Sequence, residues 1–223
     1  MLLFKNTVGR KIVMAVTGLL MFGFIIGHLL GNTTIFTGPD GINAYAEKLR
    51  NLGPLIWIMR VIMLVMVSLH VFFGVQITLE DNAAKPGSYA MKRNLRSTFA
   101  SRSMIWTGLL IAGYLIYHLL QFTFHVINPE ISSMKNFDSL GRHDVFSMLV
   151  HGFQSVLVSS VYIAAMIAVA LHLAHGIQSL FQTLGLNNDS SLPAIEKAGL
   201  ITAVILFLGY VSIPAAILAG IVK

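Results

Sequence analysis

Five long stretches of this sequence contain no Asp, Glu, Lys or Arg, and they constrain the fold more than any other feature. The stretches lie between Lys11 and Asp40, Arg60 and Glu80, Arg102 and Glu130, Asp144 and Asp189, and Lys197 and Lys223. About 20 apolar residues suffice for a helix to cross the roughly 30 Å hydrocarbon core of a bilayer. With 56% hydrophobic and 11% charged residues, the chain has too little charge to cover a soluble globule and too much apolar surface for disorder. The sequence therefore predicts an integral membrane protein.

The predicted fold is an all-α bundle of five transmembrane helices that forms a single domain over residues 1–223. The helices are expected at about 12–32, 55–79, 103–127, 150–183 and 199–222. The fourth stretch is too short for two crossings and a turn, so we interpret it as one tilted helix whose end at 178–184 protrudes. The chain has no cysteine, which excludes disulfides, thiolate metal sites and cysteine-ligated iron–sulfur clusters.

The distribution of Lys and Arg predicts the orientation. The N-terminus and the loops at 80–102 and 184–198 hold nine of these residues, and the opposite side holds five. The positive-inside rule then places the N-terminus in the cytoplasm. The basic residues behind the net charge of +6 flank the apolar runs. We therefore expect them to contact lipid headgroups, and we expect no nucleic acid partner.

Eight histidines stand out in so apolar a chain. They are His28, His70, His118, His125, His143, His151, His172 and His175. An ionisable side chain inside a membrane span is costly, which favours a functional role for the group. For any single histidine, a neutral imidazole hydrogen-bonded to a neighbouring helix is an equally good interpretation.

Four of these histidines fall at two depths. His28 and His118 lie 16 and 15 residues into outward-running helices, and we call them the outer pair. His70 and His172 lie on inward-running helices and form the inner pair. At 1.5 Å per helical residue, the two levels are expected to be roughly 16 Å apart.

Two imidazoles at one depth on different helices can ligate one haem iron from both faces. The pattern therefore predicts two b-type haems stacked across the membrane as a route for electrons. Zinc or copper also bind histidine, but no carboxylate or thiolate lies nearby to complete such a site. Met is another axial ligand, although most of the 11 methionines are expected to fill packing gaps.

Short motifs around the four histidines are similar to each other. Two helices read Ile26-Gly27-His28-Leu29-Leu30 and Ile116-Tyr117-His118-Leu119-Leu120, and the other two read His70-x-x-x-Gly74 and His172-x-x-x-Gly176. A glycine one turn from a ligand leaves room for a macrocycle, although it also serves plain helix contact. The similarity of these motifs suggests a repeated two-helix unit.

As an ordered set, these features resemble the dihaem cytochrome b membrane anchor of succinate:menaquinone oxidoreductases and quinol:fumarate reductases. The match covers nearly the whole chain. Its local marks are Gly27-His28-Leu29, the segment 45–53, His70-x-x-x-Gly74, and His172 followed by Gly176 and Ser179-Leu180-Phe181.

The resemblance implies a multi-pass protein of the bacterial cytoplasmic membrane. It implies a distal haem on the outer pair, a proximal haem on the inner pair, and menaquinone reacting near the distal haem. It also implies an FAD-bearing flavoprotein subunit and an iron–sulfur subunit on the cytoplasmic face, in a complex that is compatible with dimerisation. Some family members carry a glutamate two residues before the last ligand for proton movement, and this sequence has Ala170 there.

Further candidates concern the edges of the two haems. A quinol site needs a proton acceptor, for which we predict Glu47 on a short helix over 44–50, and His125, His151 and Arg60 are candidates to hold a quinone carbonyl. His175 and the inner-face cations are candidates to bind the propionates of the inner haem. Those cations are Lys92, Arg93, Arg96 and Arg102.

Two other classes of function remain open from the sequence. One is the cytochrome b subunit of a respiratory hydrogenase or formate dehydrogenase, which also carries paired histidines. The other is a haem-free membrane scaffold or transporter whose histidines are satisfied within the core. The sequence does not indicate whether the complex oxidises succinate or reduces fumarate.

Overall fold

The structure is a computed structural model that describes residues 6–84 and 97–223. The regular elements of these ranges are helices, and an isolated bridge between Phe137 and His143 is the one sheet-like pairing they contain. The α-helices are α1 (Thr7–Asn32), α2 (Pro39–Arg50), α3 (Pro54–Ala84), α4 (Phe99–Arg102), α5 (Met104–Phe122), α6 (Val145–Gln154), α7 (Val156–Thr183) and α8 (Leu192–Leu218). Two 3₁₀ helices occupy Thr33–Thr37 and Pro129–Ile131.

Five of these helices are long and apolar enough to cross a membrane, as the charge-free stretches predict. They are α1 with its 3₁₀ extension, α3, α5, α7 and α8. The all-α fold with five candidate membrane spans is therefore confirmed. Large apolar side chains such as Leu64 and Trp106 remain exposed along them, as expected for surfaces that face lipid.

Four of the spans form a ring. α1 packs on α3, α3 on α5, α5 on α7, and α7 back on α1, while α8 packs along α7 and also contacts α1. Within the described residues, the diagonal partners α1 and α5 do not pack closely on each other, and neither do α3 and α7. The ring therefore has an interior between diagonal helices that side chains must span.

The fourth crossing differs from the prediction of one helix over 150–183, which is wrong. α6 ends at Gln154, and a new helix, α7, begins at Val156 after the extended residue Ser155. The break is stabilised by two serines: Ser155 caps α7 by accepting from the N–H of Val158, and Ser159 donates to the carbonyl of Phe153. Because no Gly or Pro marks this position, the sequence pattern gave no sign of it.

The third crossing also ends early, at Phe122 rather than near 127. His125 adopts a left-handed conformation with φ 53°, and the N–H of Val126 donates back to the carbonyl of Leu120 at 2.8 Å. The left-handed position just past a helix end is usually occupied by glycine. His125 therefore lies beyond the end of α5, although the predicted helix over 103–127 includes it.

A polar cap closes the end of the bundle that the orientation predicts to be outer. We call α2, residues 129–144 and α6 the outer cap. At its centre Asn43 is fully buried, donates to Asp138 and Asp144, and accepts from the N–H of Phe146. Arg142 pairs with Asp138 and also with Asp40 of α2, both at 2.8 Å. The cap is thus a single hydrogen-bonded unit that joins α2 to α6.

These contacts set the charge state of the cap. Burial acts to raise the pKa values of Asp138 and Asp144, but hydrogen bonds outweigh it and lower both pKa values. The donors are Arg142, Leu140 and Asn43 for Asp138, and Ser147 and Asn43 for Asp144. The pKa of Arg142 is raised by its bonds to Asp40 and Asp138. These contacts therefore favour the ionised form of both carboxylates.

Candidate functional site

The structure brings the four predicted histidines together as two facing pairs. The ring centroids of His28 and His118 lie 5.9 Å apart with the ring planes at 87°. Those of His70 and His172 lie 6.3 Å apart at 62°. In both pairs the two rings come from diagonal helices of the ring, α1 with α5 and α3 with α7.

Their spacing along the helices defines two levels. His70 contacts Thr17, which lies eleven residues before His28 on α1. His172 contacts Thr107, eleven residues before His118 on α5. Both helices therefore separate the pairs by about 16 Å along their axes.

The geometry of each pair fits a haem. Imidazole nitrogens bound on opposite sides of one metal at about 2 Å lie about 4 Å apart, which places the ring centroids about 6 Å apart. A haem needs only two protein ligands, because the macrocycle supplies the other four. Within residues 6–84 and 97–223 no group of three or more His, Cys, Asp or Glu could hold a metal ion, so the ligand set of a zinc site is not present there.

Open space adjoins the pairs. A Cβ added at Gly23, Gly27, Gly113 or Gly176 would meet no atom within 4 Å. Gly27 precedes His28, and Gly176 lies one turn from His172. Gly27 and Gly176 therefore put no side chain into the space next to one ligand of each pair, which is compatible with a flat macrocycle there.

The imidazoles of the inner pair are held by α1 and α5. The Nδ1 atom of His70 lies 3.1 Å from Oγ1 of Thr17 and 3.2 Å from the carbonyl oxygen of Met14. The Nδ1 atom of His172 lies 3.1 Å from Oγ1 of Thr107. With Nδ1 engaged in this way, Nε2 is the nitrogen left to bind a metal.

The outer pair has a different environment. Nδ1 of His118 lies 3.2 Å from the hydroxyl oxygen of Tyr162, and that hydroxyl donates to Oε1 of Gln121 at 2.9 Å. Since the phenol hydrogen is committed to Gln121, the phenol oxygen accepts from the imidazole N–H. Tyr210 donates to the carbonyl of Ile25, one turn before His28, at 2.6 Å. Both pairs therefore consist of two histidines, but the hydrogen-bond partners of their Nδ1 atoms differ.

Comparison with known families gives this architecture its context. A family model described as the succinate dehydrogenase/fumarate reductase transmembrane subunit matches the chain over residues 4–94 and 89–213. The chain belongs to this family. The searches of curated proteins and of solved structures returned no match.

Membership makes this transmembrane subunit a multi-pass membrane anchor in a respiratory complex that interconverts succinate and fumarate. Cytochrome b subunits of this kind take part in electron transport, and the family normally partners a flavoprotein subunit, an iron–sulfur subunit and quinone. Membership also decides against a hydrogenase or formate dehydrogenase subunit, the first of the two alternatives left open by the sequence.

Of the predicted quinone-site residues, Glu47 lies in a cleft of the outer cap. The cleft is lined by Glu47, Arg50, Asn51, Gly141, Arg142 and His143. His143 donates from Nδ1 to the carbonyl oxygen of Ser133, with 2.7 Å between the two atoms. The predicted short helix is α2, which carries Glu47 exposed in its last turn.

The other three candidates are dispersed. Burial lowers the pKa of His125, as does the nearby charge of Arg50, and its Nδ1 atom has no hydrogen-bond partner in the described part of the chain. Arg60 stacks over the ring of Trp57 at 4.8 Å, and His151 lines a separate cleft with Lys223. The structure therefore brings His125 near Arg50 but does not bring Arg60 or His151 to the cleft of Glu47.

The predicted propionate contacts are described only in part. Lys92, Arg93 and Arg96 lie outside the described residues. Arg102 ends the short helix α4, which packs on α7, the helix that carries His172 and His175. His175 lies one turn beyond His172 and is half-buried.

Several residues around the pairs were missed by the sequence analysis. Thr17, Thr107, Tyr162 and Gln121 are polar residues in apolar runs, where a hydroxyl or amide alone gives no specific signal. A comparison of two repeated segments would have identified Thr17 and Thr107, because residues 14–30 and 104–120 are identical at ten of 17 positions. Arg10 was counted as a headgroup contact, yet it is 8% exposed and bonded to Glu80 of α3 at 2.5 Å.

Proposed function

We propose that this subunit carries electrons between menaquinol or menaquinone and the iron–sulfur subunit through two bis-histidine haems b. His28 and His118 ligate the outer haem, and His70 and His172 ligate the inner haem. The observation that carries the proposal is the presence of two facing imidazole pairs, with centroids 5.9 and 6.3 Å apart, at two levels of one bundle. Bound at these levels, the haems supply one-electron transfer across the membrane.

The protein contributes position and protection. Each ligand comes from a different helix of the four-helix ring, and the Nδ1 atoms of three of them are engaged by Thr17, Thr107 and Tyr162. These bonds hold the rings in a fixed tautomer before a metal is bound. The apolar bundle excludes water from both levels, which is a further determinant of haem potential.

The first test is the cofactor content. The purified complex should show a reduced-minus-oxidised spectrum of low-spin haem b with two haems for each chain. Replacing His28 or His118 by Ala should remove one haem, and replacing His70 or His172 should remove the other. His143→Ala, in the cap, is the matched control and should keep both. A haem-free preparation would support the remaining alternative, a scaffold or transporter.

The choice of His172 over His175 is tested separately. His172 faces His70 and is bonded to Thr107, whereas His175 lies one turn further along α7. His172→Ala should therefore lose the inner haem, and His175→Ala should keep it. The reverse result would move the inner ligand to His175.

Quinone chemistry is placed at the outer cap, where Glu47 accepts a proton from menaquinol. The cleft combines this carboxylate with Arg50 and Arg142, whose guanidinium groups are donors suited to a quinone oxygen. It also contains His143, whose Nε2 atom is left to accept from a quinol hydroxyl. Glu47→Gln should leave both haem spectra and dye-linked succinate oxidation intact. It should slow menaquinol-dependent fumarate reduction at least tenfold, since loss of a general base costs roughly 10²–10⁴ in rate.

The control for this variant is Glu130→Gln, which changes another exposed acid on the same side of the bundle. It should leave quinol activity unchanged. Equal activity of the parent and Glu47→Gln proteins would place the proton acceptor elsewhere, and His151 would be the next candidate.

We infer that the N-terminus is cytoplasmic, in the bacterial inner membrane, with the flavoprotein and iron–sulfur subunits docked beside α4. The supporting observation is the excess of Lys and Arg on that side. Because the chain has no cysteine, Ser139→Cys and Ser190→Cys each introduce a unique thiol, one in the outer cap and one before α8. A membrane-impermeant maleimide added outside intact cells should label the first alone, and labelling of the second alone would reverse the orientation.

The inner face offers cations for the propionates of the inner haem. We propose that at least one of Lys92, Arg93, Arg96 and Arg102 pairs with a propionate, because a carboxylate at the membrane edge needs a cation or donors. Arg102 is the member of this set whose position beside α7 supports the pairing. An experimental structure of the loaded complex with both inner propionates bound only by water or uncharged groups would contradict this.

A further inference from the structure

Two Thr-Gly dipeptides contact the inner pair in the same way. Thr17-Gly18 of α1 meets His70, and Thr107-Gly108 of α5 meets His172, with 3.1 Å between Oγ1 and Nδ1 in both. They occupy equivalent positions in the repeated segments 14–30 and 104–120, which both read Met-x-x-Thr-Gly-Leu-Leu at their start. The same contact thus occurs twice on independent helices.

The direction of these hydrogen bonds follows from the helix geometry. The hydroxyl of Thr17 donates within α1 to the carbonyl of Val13 at 2.8 Å or of Met14 at 3.1 Å. The hydroxyl of Thr107 donates to Ser103 at 3.0 Å or to Met104 at 3.1 Å. A hydroxyl has one hydrogen, so each Oγ1 has only lone pairs left for the histidine. The backbone acceptors beside the rings agree with this direction, because the carbonyl of Met14 near His70 and the backbone of Met104 near His172 can only accept from an Nδ1–H. Each imidazole then carries its hydrogen on Nδ1 and leaves the Nε2 lone pair free.

The glycines contribute space. A Cβ built on Gly18 would lie 3.3 Å from Cε1 of His70, and one built on Gly108 would lie 3.3 Å from Cε1 of His172. A side chain at either position would press on the ring at the carbon between its two nitrogens. The glycine next to each threonine therefore allows the imidazole to reach the hydroxyl without being tilted.

We propose that these two Thr-Gly dipeptides are positioning residues for the inner haem. The threonine fixes the tautomer and the ring plane, and the glycine leaves room for the ring, so that Nε2 of His70 and of His172 is presented to the iron. The inference rests on the proposed function, in which these histidines ligate the inner haem. Under this proposal α1 and α5 each have two roles. Each ligates the outer haem with its own histidine, and each positions a ligand of the inner haem that comes from another helix.

The proposal predicts an electronic effect. An acceptor on Nδ1–H makes the imidazole a more basic ligand, which favours the ferric state. Loss of one acceptor should weaken this effect and favour the ferrous state. The carbonyl of Met14, 3.2 Å from Nδ1 of His70, and the backbone of Met104 beside His172 remain as second acceptors, so each valine variant retains part of the interaction.

The experiment uses the assembled complex with Thr17→Val and Thr107→Val. Both haems are followed by potentiometric titration and by low-spin electron paramagnetic resonance. Each variant should shift the reduction equilibrium of the inner haem several-fold to tenfold toward the reduced form, where tenfold corresponds to about 59 mV for a one-electron couple. The outer haem should not shift, and Thr17→Ser and Thr107→Ser should restore the parent values.

Thr78→Val is the matched control, because Thr78 also donates to its own helix, to the carbonyl of Gly74 at 2.8 Å. Gly18→Ala and Gly108→Ala provide a second readout and should lower the occupancy of the inner haem while the outer haem is retained. The proposal is overturned if both valine variants keep the potential and resonance of the inner haem, or if both haems shift equally. A parent complex without haem would instead contradict the proposed function.

Discussion

The outer cap offers a prediction whose size can be worked out from the contacts of Asn43. This side chain is fully buried, donates to Asp138 at 3.2 Å and Asp144 at 3.3 Å, and accepts from the N–H of Phe146 at 2.9 Å. Asn43→Ala removes all three bonds. The cap should then open locally more often, while the membrane spans remain folded.

The magnitude follows from what each partner retains. The N–H of Phe146 is left unpaired in a buried position, which costs about 1–3 kcal/mol. Asp138 keeps its bonds to Arg142 and Leu140, and Asp144 keeps Ser147, so each carboxylate loses about 0.5–1 kcal/mol. The total of about 2–5 kcal/mol corresponds to a roughly 30- to 4,000-fold loss of protection, at 1.4 kcal/mol for each factor of ten.

Hydrogen–deuterium exchange measured by mass spectrometry on peptides covering 138–150 reports this opening. Asn188→Ala is the control, since Asn188 accepts from the N–H groups of Ser190 and Ser191 in an exposed turn before α8, at the other end of the bundle. It should leave the cap unchanged. Protection in the Asn43→Ala cap within threefold of the parent would refute the reasoning.

A second substitution at the same position separates packing from charge. Asn43→Asp keeps the acceptor for Phe146 but replaces the amide donor by a third carboxylate facing Asp138 and Asp144. It should open the cap at pH 7 at least as much as Asn43→Ala. Its protection should recover toward pH 5, because one of the crowded carboxyl groups becomes protonated. An Asn43→Asp effect that does not depend on pH would contradict this account of the cap.

Three further predictions concern the cap and the outer pair. The lowered pKa values of Asp138 and Asp144 mean that their contribution to stability is complete above about pH 4, the ordinary aspartate value, and is lost as the pH falls through the lower folded values. Exchange corrected for its intrinsic rate should therefore rise in the cap below about pH 4, and constant protection to pH 2 would contradict it. Tyr162→Phe should alter the low-spin resonance of the outer haem and not of the inner haem, whereas Tyr117→Phe, in the same aromatic cluster, should alter neither. Gly31→Ala places a methyl group against the ring of Tyr45 on α2, so it should destabilise the packing of α2 by about 1–3 kcal/mol. Hydrogen exchange over residues 39–50 should then rise, and exchange rates equal to those of the parent would count against that contact.

The parts of the fold that the sequence predicted are those that depend on charge and helix length. Charge-free stretches located all five spans, because excluding charged groups from lipid is a strong constraint that acts on every residue of a span. The two levels of histidines followed from the constant rise of a helix, so counting residues to His28 and His118 was sufficient to place them side by side.

The parts that failed depend on single side-chain contacts. The break at Ser155 is stabilised by two serine hydroxyls, and the end of α5 relies on a left-handed His125 where glycine is usual. Neither residue type is specific for such a position, so no pattern announces it. The partners of the histidines were missed for the same reason, since a threonine in an apolar helix is common and acquires meaning only when its neighbour is known.

The diagonal placement of the pairs has a consequence for biosynthesis. Each pair takes one histidine from the first two spans and one from α5 or α7, so neither pair exists in a chain that ends before α5. As the chain emerges from the ribosome, the outer pair becomes complete with α5 and the inner pair only with α7. If the pairs ligate haem as proposed, the outer haem is inserted only after α5 is integrated and the inner haem only after α7. A chain that ends before α5 then has no facing pair of histidines in which to capture free haem.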